Sequence, residues 1–173
     1  MATNVTYDYL TKSELIWELW IRGINTTQGE YTTHTLLTQL KSVSGNQPQI
    51  KSITDINHID ILEVECTKIE QISMILEDLG NDKNCFTPSF RRYTSQIKHH
   101  INKIKFILQL DPSTDIQTKY TEYLQIFQAL LHTLQEVYQV SQLQQKQLEN
   151  EPMINVNQQD SQTNADLQTV SLR

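Results

Sequence analysis

The sequence predicts an all-α protein: a small N-terminal helical hairpin, then a three-helix bundle or a long antiparallel coiled coil, then a disordered C-terminal tail. Its 173 residues include only 4 Gly and 4 Pro, so few positions favour a sharp turn. A many-stranded sheet needs a turn about every ten residues, whereas long helices need few. Apolar residues also recur every three or four positions through most of the chain, which is the period of an amphipathic helix.

The N-terminal hairpin is predicted over residues 10–43. Thr11 and Glu14 have the spacing of a capping box, in which each side chain accepts a hydrogen bond from the other's backbone N–H. Gly23 stands where the end of this first helix needs a left-handed residue. A second helix is predicted from about Thr33 to Val43.

Two tryptophans lie three residues apart on the first helix and therefore share a face. Trp17 and Trp20 are predicted to pack in the hairpin core with Leu10, Ile16 and Ile24. The alternative is that one of them is an exposed anchor for a partner, because tryptophan is enriched at interface hot spots.

The bundle is predicted over residues 55–148, after a linker at 44–54. Its first helix runs from about Asp55 to Leu79, and the other two are predicted to open at Thr87-Pro88 and Asp111-Pro112, because proline is favoured at the first helical position. Short connections make neighbouring helices antiparallel. Residues 149–173 hold too little apolar surface to offset the entropy of ordering them and are predicted to be disordered.

An apolar seam follows each helix of the predicted bundle. On the first helix its positions are Ile59, Leu62, Cys66, Ile69, Leu76 and Leu79. On the other two helices the seam has the three-four alternation of packed helices, and it is a candidate interface between copies of the chain. The candidate interface residues are Phe90, Tyr93, Ile97, Ile104, Leu124, Phe127, Leu131 and Leu134.

Charge is segregated along the bundle although the net charge of the chain is −6. Residues 55–82 are rich in acids, whereas residues 83–110 contain six bases and no acid. One interpretation is that the two helices pair and their charges select that pairing. The other is that the second helix binds RNA. The candidate RNA-binding residues are Arg91, Arg92, Lys98, Lys103 and Lys105.

No pattern of catalytic, metal-ligating or cofactor-binding residues is recognisable, so we expect neither an enzyme nor a small-molecule substrate. His99 and His100 have no third ligand at helical spacing on their own helix, and the chain has no phosphate-binding glycine loop. Cys66 and Cys85 alone make neither a zinc site nor a disulfide framework. The chain has no signal-peptide pattern or long apolar run, which predicts a protein of the cytoplasm or nucleus without a membrane partner.

Three segments, LTKSEL at 10–15, EL at 18–19 and IRGI at 21–24, resemble the opening of Gag-like polyproteins of insect LTR retrotransposons. The same stretch is similar to a degenerate SAP motif. The acidic helix, the basic helix and the third helix follow the layout of those proteins, although the chain lacks the Cys-rich zinc knuckle of a complete Gag. The resemblance implies a structural protein, an N-terminal fragment or truncated copy, that self-associates into an assembly.

Three functions therefore stay open from the sequence. The first is self-association by burial of the helix seams between copies. The second is RNA binding by the basic helix, and the third is an adaptor that docks a foreign helix on its seam.

Overall fold

The computed structural model describes residues 4–26, 29–46, 56–81 and 88–149, and within these ranges every regular element is helical. The predicted all-α fold class is thereby confirmed. A short 3₁₀ turn at Tyr7–Tyr9 precedes the helices, which are α1 (Lys12–Trp20), α2 (Thr33–Val43), α3 (His58–Asn81), α4 (Pro88–Gln109) and α5 (Thr114–Glu149). The predicted tail beyond Glu149, most of the predicted linker, and the predicted helix openings at Asp55 and Thr87 lie outside the described residues.

The chain divides into two compact units, the first ending at Ser141 and the second beginning at Gln142. The described part of the second unit is the end of α5. The hairpin and the bundle helices up to Ser141 belong to the same unit. The stretch at 44–54 therefore connects two parts of one compact unit.

Helix α1 begins and ends as its local sequence predicts. Both halves of the capping box are present: the Thr11 side chain accepts from the Glu14 N–H, and the Thr11 N–H donates to Glu14 Oε2 at 2.7 Å. At the other end Gly23 has a φ of 80°. The Ile24 N–H donates to the Leu19 carbonyl at 3.0 Å, which makes this end a Schellman motif.

Replacing Gly23 by alanine should lower the free energy of unfolding by about 1–2 kcal/mol, because a Cβ is disfavoured in the left-handed region. Gly45→Ala is the matched control, since an added Cβ there meets no atom within 4 Å. That change should be neutral or slightly stabilising. Urea unfolding of the two variants measures both values, and equal losses would contradict the role assigned to Gly23.

The three long helices pack up, down and up. Stacked rings join the start of α4 to the far part of α5, with the centroids of Phe90 and Tyr138 4.6 Å apart. His58 Nδ1 lies 3.1 Å from the Tyr120 hydroxyl, so the beginnings of α3 and α5 are neighbours. Helices α4 and α5 are therefore antiparallel, and α3 runs alongside α5. Their shared core consists of Ile56, Ile72, Leu76, Ile97, Ile101, Ile104, Ile107, Tyr120, Phe127 and Leu134.

The inward face of α3 differs from the predicted one. Ile59 is 77% exposed and Cys66 is exposed. Glu65 is completely buried and shares the inward face with Ile72 and Leu76, at spacings of seven and four that fit one side of a helix. The prediction for Ile59 and Cys66 was wrong because it followed apolar residue types alone, whereas a carboxylate occupies this part of the interior.

Helix α5 begins two residues later than predicted. Asp111 has a φ of 56°, in the left-handed region, so the chain turns there after α4. Pro112 precedes the helix and does not occupy its first position. The first helical bond runs from the Gln117 N–H to the Ser113 carbonyl at 2.8 Å.

The hairpin packs on the bundle through α1 and the residues before it. Trp17 and Trp20 contact the bundle core, whereas Leu15 and Leu19 pack with α2 in a separate small core. The predicted place of the tryptophans in the hairpin core is therefore wrong: they lie on the opposite side of α1 from the leucines. Among the described helices, none has a stretch long and apolar enough to cross a bilayer.

Candidate functional site

A cluster of charged side chains lies where α1, α3 and α4 meet. It joins three carboxylates to two histidines and several cations, and most of these side chains are closed off from solvent. Helix α1 supplies residues one turn apart, α4 supplies an adjacent histidine pair, and α3 supplies the inward carboxylate. The members of this buried charge cluster are Glu14, Glu18, Arg22, Glu65, Lys68, His99, His100 and Lys103.

His100 is held between two carboxylates. Its Nδ1 lies 2.6 Å from Glu65 Oε2, and its Nε2 lies 3.1 Å from Glu14 Oε1. An ionised carboxylate only accepts hydrogen bonds, so both ring nitrogens donate and the ring is an imidazolium. Phe127 stacks on this ring at a centroid distance of 5.1 Å and an interplanar angle of 6°.

Lys103 pairs with the second oxygen of the same carboxylate. Its Nζ lies 2.8 Å from Glu65 Oε1, so Glu65 binds a different cation through each oxygen. The ammonium also lies 4.7 Å from the centroid of a Trp17 ring, which is cation–π geometry. Lys103 is 8% exposed and is thereby enclosed by α1 and α3.

His99 belongs to a second branch of the cluster. Its Nδ1 donates to Glu18 Oε1 at 2.7 Å, while Arg22 donates to Glu18 Oε2 at 2.6 Å. Its other ring nitrogen, Nε2, is buried with no hydrogen-bond partner in the described part of the chain. This arrangement suits a neutral imidazole that carries its proton on Nδ1, because a bare nitrogen costs less to bury than an N–H⁺.

The acids of the cluster are ionised. Burial by itself would raise the pKa of the Glu65 carboxyl, but the charge and hydrogen bond of His100, together with Lys103, lower that pKa to about 2. Burial would likewise raise the pKa of Glu14, yet its bonds to His100 and to the Thr11 N–H hold it well below the ordinary value. The pKa of Glu18 is also lowered, because its bonds to His99 and Arg22 outweigh burial.

The two histidines respond to the same surroundings in opposite directions. Burial would lower the pKa of His100, but the charges of Glu65 and Glu14 and their hydrogen bonds raise it above the ordinary value. Burial does lower the pKa of His99, which the single bond to Glu18 does not offset. One imidazolium and one neutral imidazole therefore stand side by side on α4, with ring centroids 5.1 Å apart.

The chemistry of the cluster is that of a structural contact between helices. Its side chains pair with one another and are mostly shielded from solvent, although His99 Nε2 and Arg22 Nε are buried without a hydrogen-bond partner among the described residues. Within the described ranges, no three His, Cys, Asp or Glu side chains are arranged to hold a metal ion. The arrangement therefore fixes α1 against α3 and α4 through matched charges.

Sequence reasoning did not find this cluster, although one signal was present. His100 and Lys103 stand among the seam residues of α4, between Ile97 and Ile104, where an apolar side chain is expected. Polar residues at such positions indicate a buried partner on another helix. The carboxylate partners lie 35 to 86 residues away in the chain, so no local pattern identified them.

The structure places the candidate seam interface inside a single chain. Ile97, Ile104, Phe127 and Leu134 have no exposed surface. Phe90, Tyr93, Leu124 and Leu131 are half-buried and pack against the same core.

The five candidate RNA-binding residues have different environments. Arg91 and Arg92 are exposed, while Lys98 and Lys105 are half-buried. Lys103 was wrongly included in a surface set, because it faces the interior and pairs with Glu65. No carboxylate of the described ranges lies within ion-pair distance of the other four.

The fold and the cluster define a class: an all-α protein whose N-terminal hairpin is joined to a three-helix bundle by buried ion pairs. Comparisons of the chain with protein-family models, with curated proteins and with solved structures found no match.

Proposed function

We propose that this chain is a structural protein that self-associates through complementary charged faces on α3 and α4. The observation that carries the proposal is that Asp60, Glu63 and Glu70 of α3 and Arg91, Lys98 and Lys105 of α4 have no ion-pair partner within the described part of the chain. The proposal keeps the assembly role that the resemblance to Gag-like proteins implies, but it moves the contact from the helix seams to the surface.

The outer side of α3 forms an acidic face, defined by Ile59, Asp60, Glu63, Glu70 and Met74. All five residues are exposed, and the two apolar ones strongly so, at 77% for Ile59 and 70% for Met74. Their spacings place them on one side of the helix. Apolar side chains surrounded by charge are typical of interaction surfaces.

The outer side of α4 forms a basic stripe, defined by Arg91, Lys98 and Lys105. These residues recur every seven positions, which is two helical turns, so they lie along one line of the helix. A line of unpaired cations attracts an acidic partner and steers its approach.

A second copy of the chain is the partner that fits both surfaces. Helices α3 and α4 contact each other through Glu65, His100 and Lys103, which lie away from the acidic face and the basic stripe. One chain therefore cannot bring these two surfaces together, whereas two chains can. Contact between different surfaces of identical subunits is heterologous and propagates into rings or filaments.

Charge reversal on the acidic face tests this proposal. We expect the wild-type chain to exceed the mass of one chain at low salt and to dissociate as salt screens the contact. The variant Glu63→Lys/Glu70→Lys should be a monomer at both salts. Adding Lys98→Glu/Lys105→Glu to that variant should restore the larger mass, because both surfaces are then reversed. Light scattering after size exclusion gives the masses.

The matched control is Glu122→Lys/Glu136→Lys, which makes the same charge change at exposed positions of α5. It should assemble like the wild type. A wild-type chain that is monomeric at low salt would overturn the proposal.

A second candidate function is RNA binding by the basic stripe, favoured by the absence of any described carboxylate beside Arg91, Lys98 or Lys105. The mass measurement by light scattering after size exclusion distinguishes RNA binding from self-association. Under the RNA-binding function the chain alone stays monomeric, and its mass increases only when RNA is added at low salt.

A further inference from the structure

A small cavity lies between the residues before α1 and the first half of α4. Its volume is about 160 Å³, well above the roughly 10–15 Å³ that one water molecule requires. It is separate from the buried charge cluster. The lining residues are Asn4, Thr6, Tyr9, Phe90, Arg91, Thr94, Ser95 and Lys98.

The wall of this cavity is held in place by hydrogen bonds between segments far apart in the sequence. The Thr6 N–H donates to Ser95 Oγ at 2.9 Å, and the Ser95 hydroxyl donates to the Thr6 carbonyl at 2.8 Å. Just beyond, Gln96 donates to the Tyr9 carbonyl at 3.3 Å. A ligand would therefore meet a wall already formed, which lowers the cost of binding.

The charge of the cavity lining is entirely positive. Arg91 and Lys98 carry the only charges among the eight lining residues, and neither has a carboxylate within ion-pair distance in the described ranges. Thr94 stands between them on the same side of α4. Its hydroxyl oxygen is buried and has no hydrogen-bond partner among the described residues.

We propose that this cavity binds a phosphate group. Arg91 supplies a guanidinium whose planar N–H groups match two phosphate oxygens, and Lys98 supplies a second cation two helical turns further along α4. Thr94 lines the same wall, and a change of its rotamer would let its unpaired hydroxyl donate to a third oxygen. The site accepts free phosphate or the phosphate of a monoester, since both present the same oxygens. The site shares Arg91 and Lys98 with the basic stripe, so bound phosphate and a second copy of the chain would compete for the same two cations.

Titration with inorganic phosphate, followed by amide NMR shifts at constant ionic strength, tests the site. The wild-type chain should show saturable shifts at Thr94 and Ser95. Arg91→Gln/Lys98→Gln should weaken binding about tenfold or more, since each charge-assisted bond contributes strongly. The matched control Arg92→Gln/Lys105→Gln removes the same charge from positions that do not line the cavity, and it should bind as the wild type does.

Titration with adenosine monophosphate then separates the two sources of phosphate. Equal affinity for both ligands supports a site for the group alone, and tighter binding of the nucleotide supports a monoester site. Shifts that never saturate, equal losses in both double variants, or the same shifts with chloride would overturn the proposal.

Discussion

Replacing Glu65 by alanine is expected to lower the free energy of unfolding by about 3–5 kcal/mol, the range for removing one partner of a buried ion pair. The carboxylate is fully buried and binds His100 at 2.6 Å and Lys103 at 2.8 Å. Without Glu65, the cationic side chains of His100 and Lys103 remain in the interior, and each of them has lost one carboxylate partner. Domains are stable by only about 5–15 kcal/mol, so the loss is a large share of the total.

Urea unfolding followed by tryptophan fluorescence measures this effect, because both tryptophans pack against the bundle. Glu63→Ala is the matched control, since Glu63 is exposed and lies half a turn away on the same helix. It should stay within about 0.5 kcal/mol of the wild type. Should Glu65→Ala fail to fold, Glu65→Gln keeps the shape and still loses the charge. Equal stabilities for the Glu65 and Glu63 variants would contradict the role of the pair.

Removing the charges of Glu65, His100 and Lys103 together distinguishes two costs. One is the cost of leaving a buried charge without its partner, and the other is the loss of the ion pairs themselves. In the triple variant Glu65→Leu/His100→Leu/Lys103→Met the charges of that trio are removed together, and Glu14, which loses His100, keeps its ion pair with Lys68 at 3.3 Å. Such replacements are often neutral or stabilising. We therefore expect the triple variant to be more stable than Glu65→Ala. A triple variant less stable than the single one would indicate that the ion pairs contribute net stability of their own.

The buried charge cluster also bears on how one arrangement of the hairpin is selected. Apolar surfaces tolerate sliding, because one leucine contact resembles another. A shift of α1 by one turn would move Glu14 away from His100 and Glu18 away from His99, which would leave buried charges without partners. The ion pairs therefore favour a single register of α1 on the bundle, a role attested for buried polar groups in other helical proteins.

Local sequence rules account for the parts of the fold that depend on local interactions. The capping box at Thr11 and the left-handed Gly23 are where the sequence predicts them, because both depend on residues within one turn. Helix α2 also has its predicted bounds. The start of α5 was misplaced because a residue other than glycine, Asp111, adopts the left-handed conformation, which residue type alone does not indicate.

Tertiary contacts account for what the sequence did not reveal. The apolar pattern of α3 pointed to Ile59 and Cys66, but the interior contains Glu65, whose burial is explained only by the cations of α4. The interpretation that the acidic and basic helices pair through their charges describes this one contact. The acids of the acidic face and the cations of the basic stripe lie on other sides of the two helices.

Acidification is expected to destabilise the fold steeply below pH 4.5. The pKa values of Glu14, Glu18 and Glu65 are all lowered in the fold, so the unfolded chain binds more protons than the folded one as pH falls through its ordinary carboxyl range. Each such carboxylate contributes stability above its unfolded pKa and loses about 1.4 kcal/mol of it per pH unit below. Glu14 and Glu65 together should cost on the order of 4 kcal/mol between pH 4.5 and 3.

The histidines modify this profile at higher pH and in opposite directions. The pKa of His100 is raised, so its contribution is complete below about pH 6.5 and is lost as pH rises through the folded value. The pKa of His99 is lowered, so the fold loses stability as pH falls below about 6.5 and the unfolded chain takes up that proton. Because the two losses lie on opposite sides of pH 6.5, we expect a maximum of stability near pH 6.5, a moderate decline on either side of it, and a steeper decline where the three carboxylates titrate.

Unfolding free energies measured in urea from pH 3 to pH 8 check this profile, and Glu65→Gln identifies its source. That variant should lose about 1.4 kcal/mol per pH unit less than the wild type below pH 4.5, because one carboxylate with a lowered pKa has been removed. Glu63→Gln, at an exposed position of the same helix, should keep the wild-type slope. If Glu65→Gln and the wild type had the same slope, the acid sensitivity would come from other carboxylates, and Glu65 could not be the buried anion that His100 and Lys103 hold in its charged form.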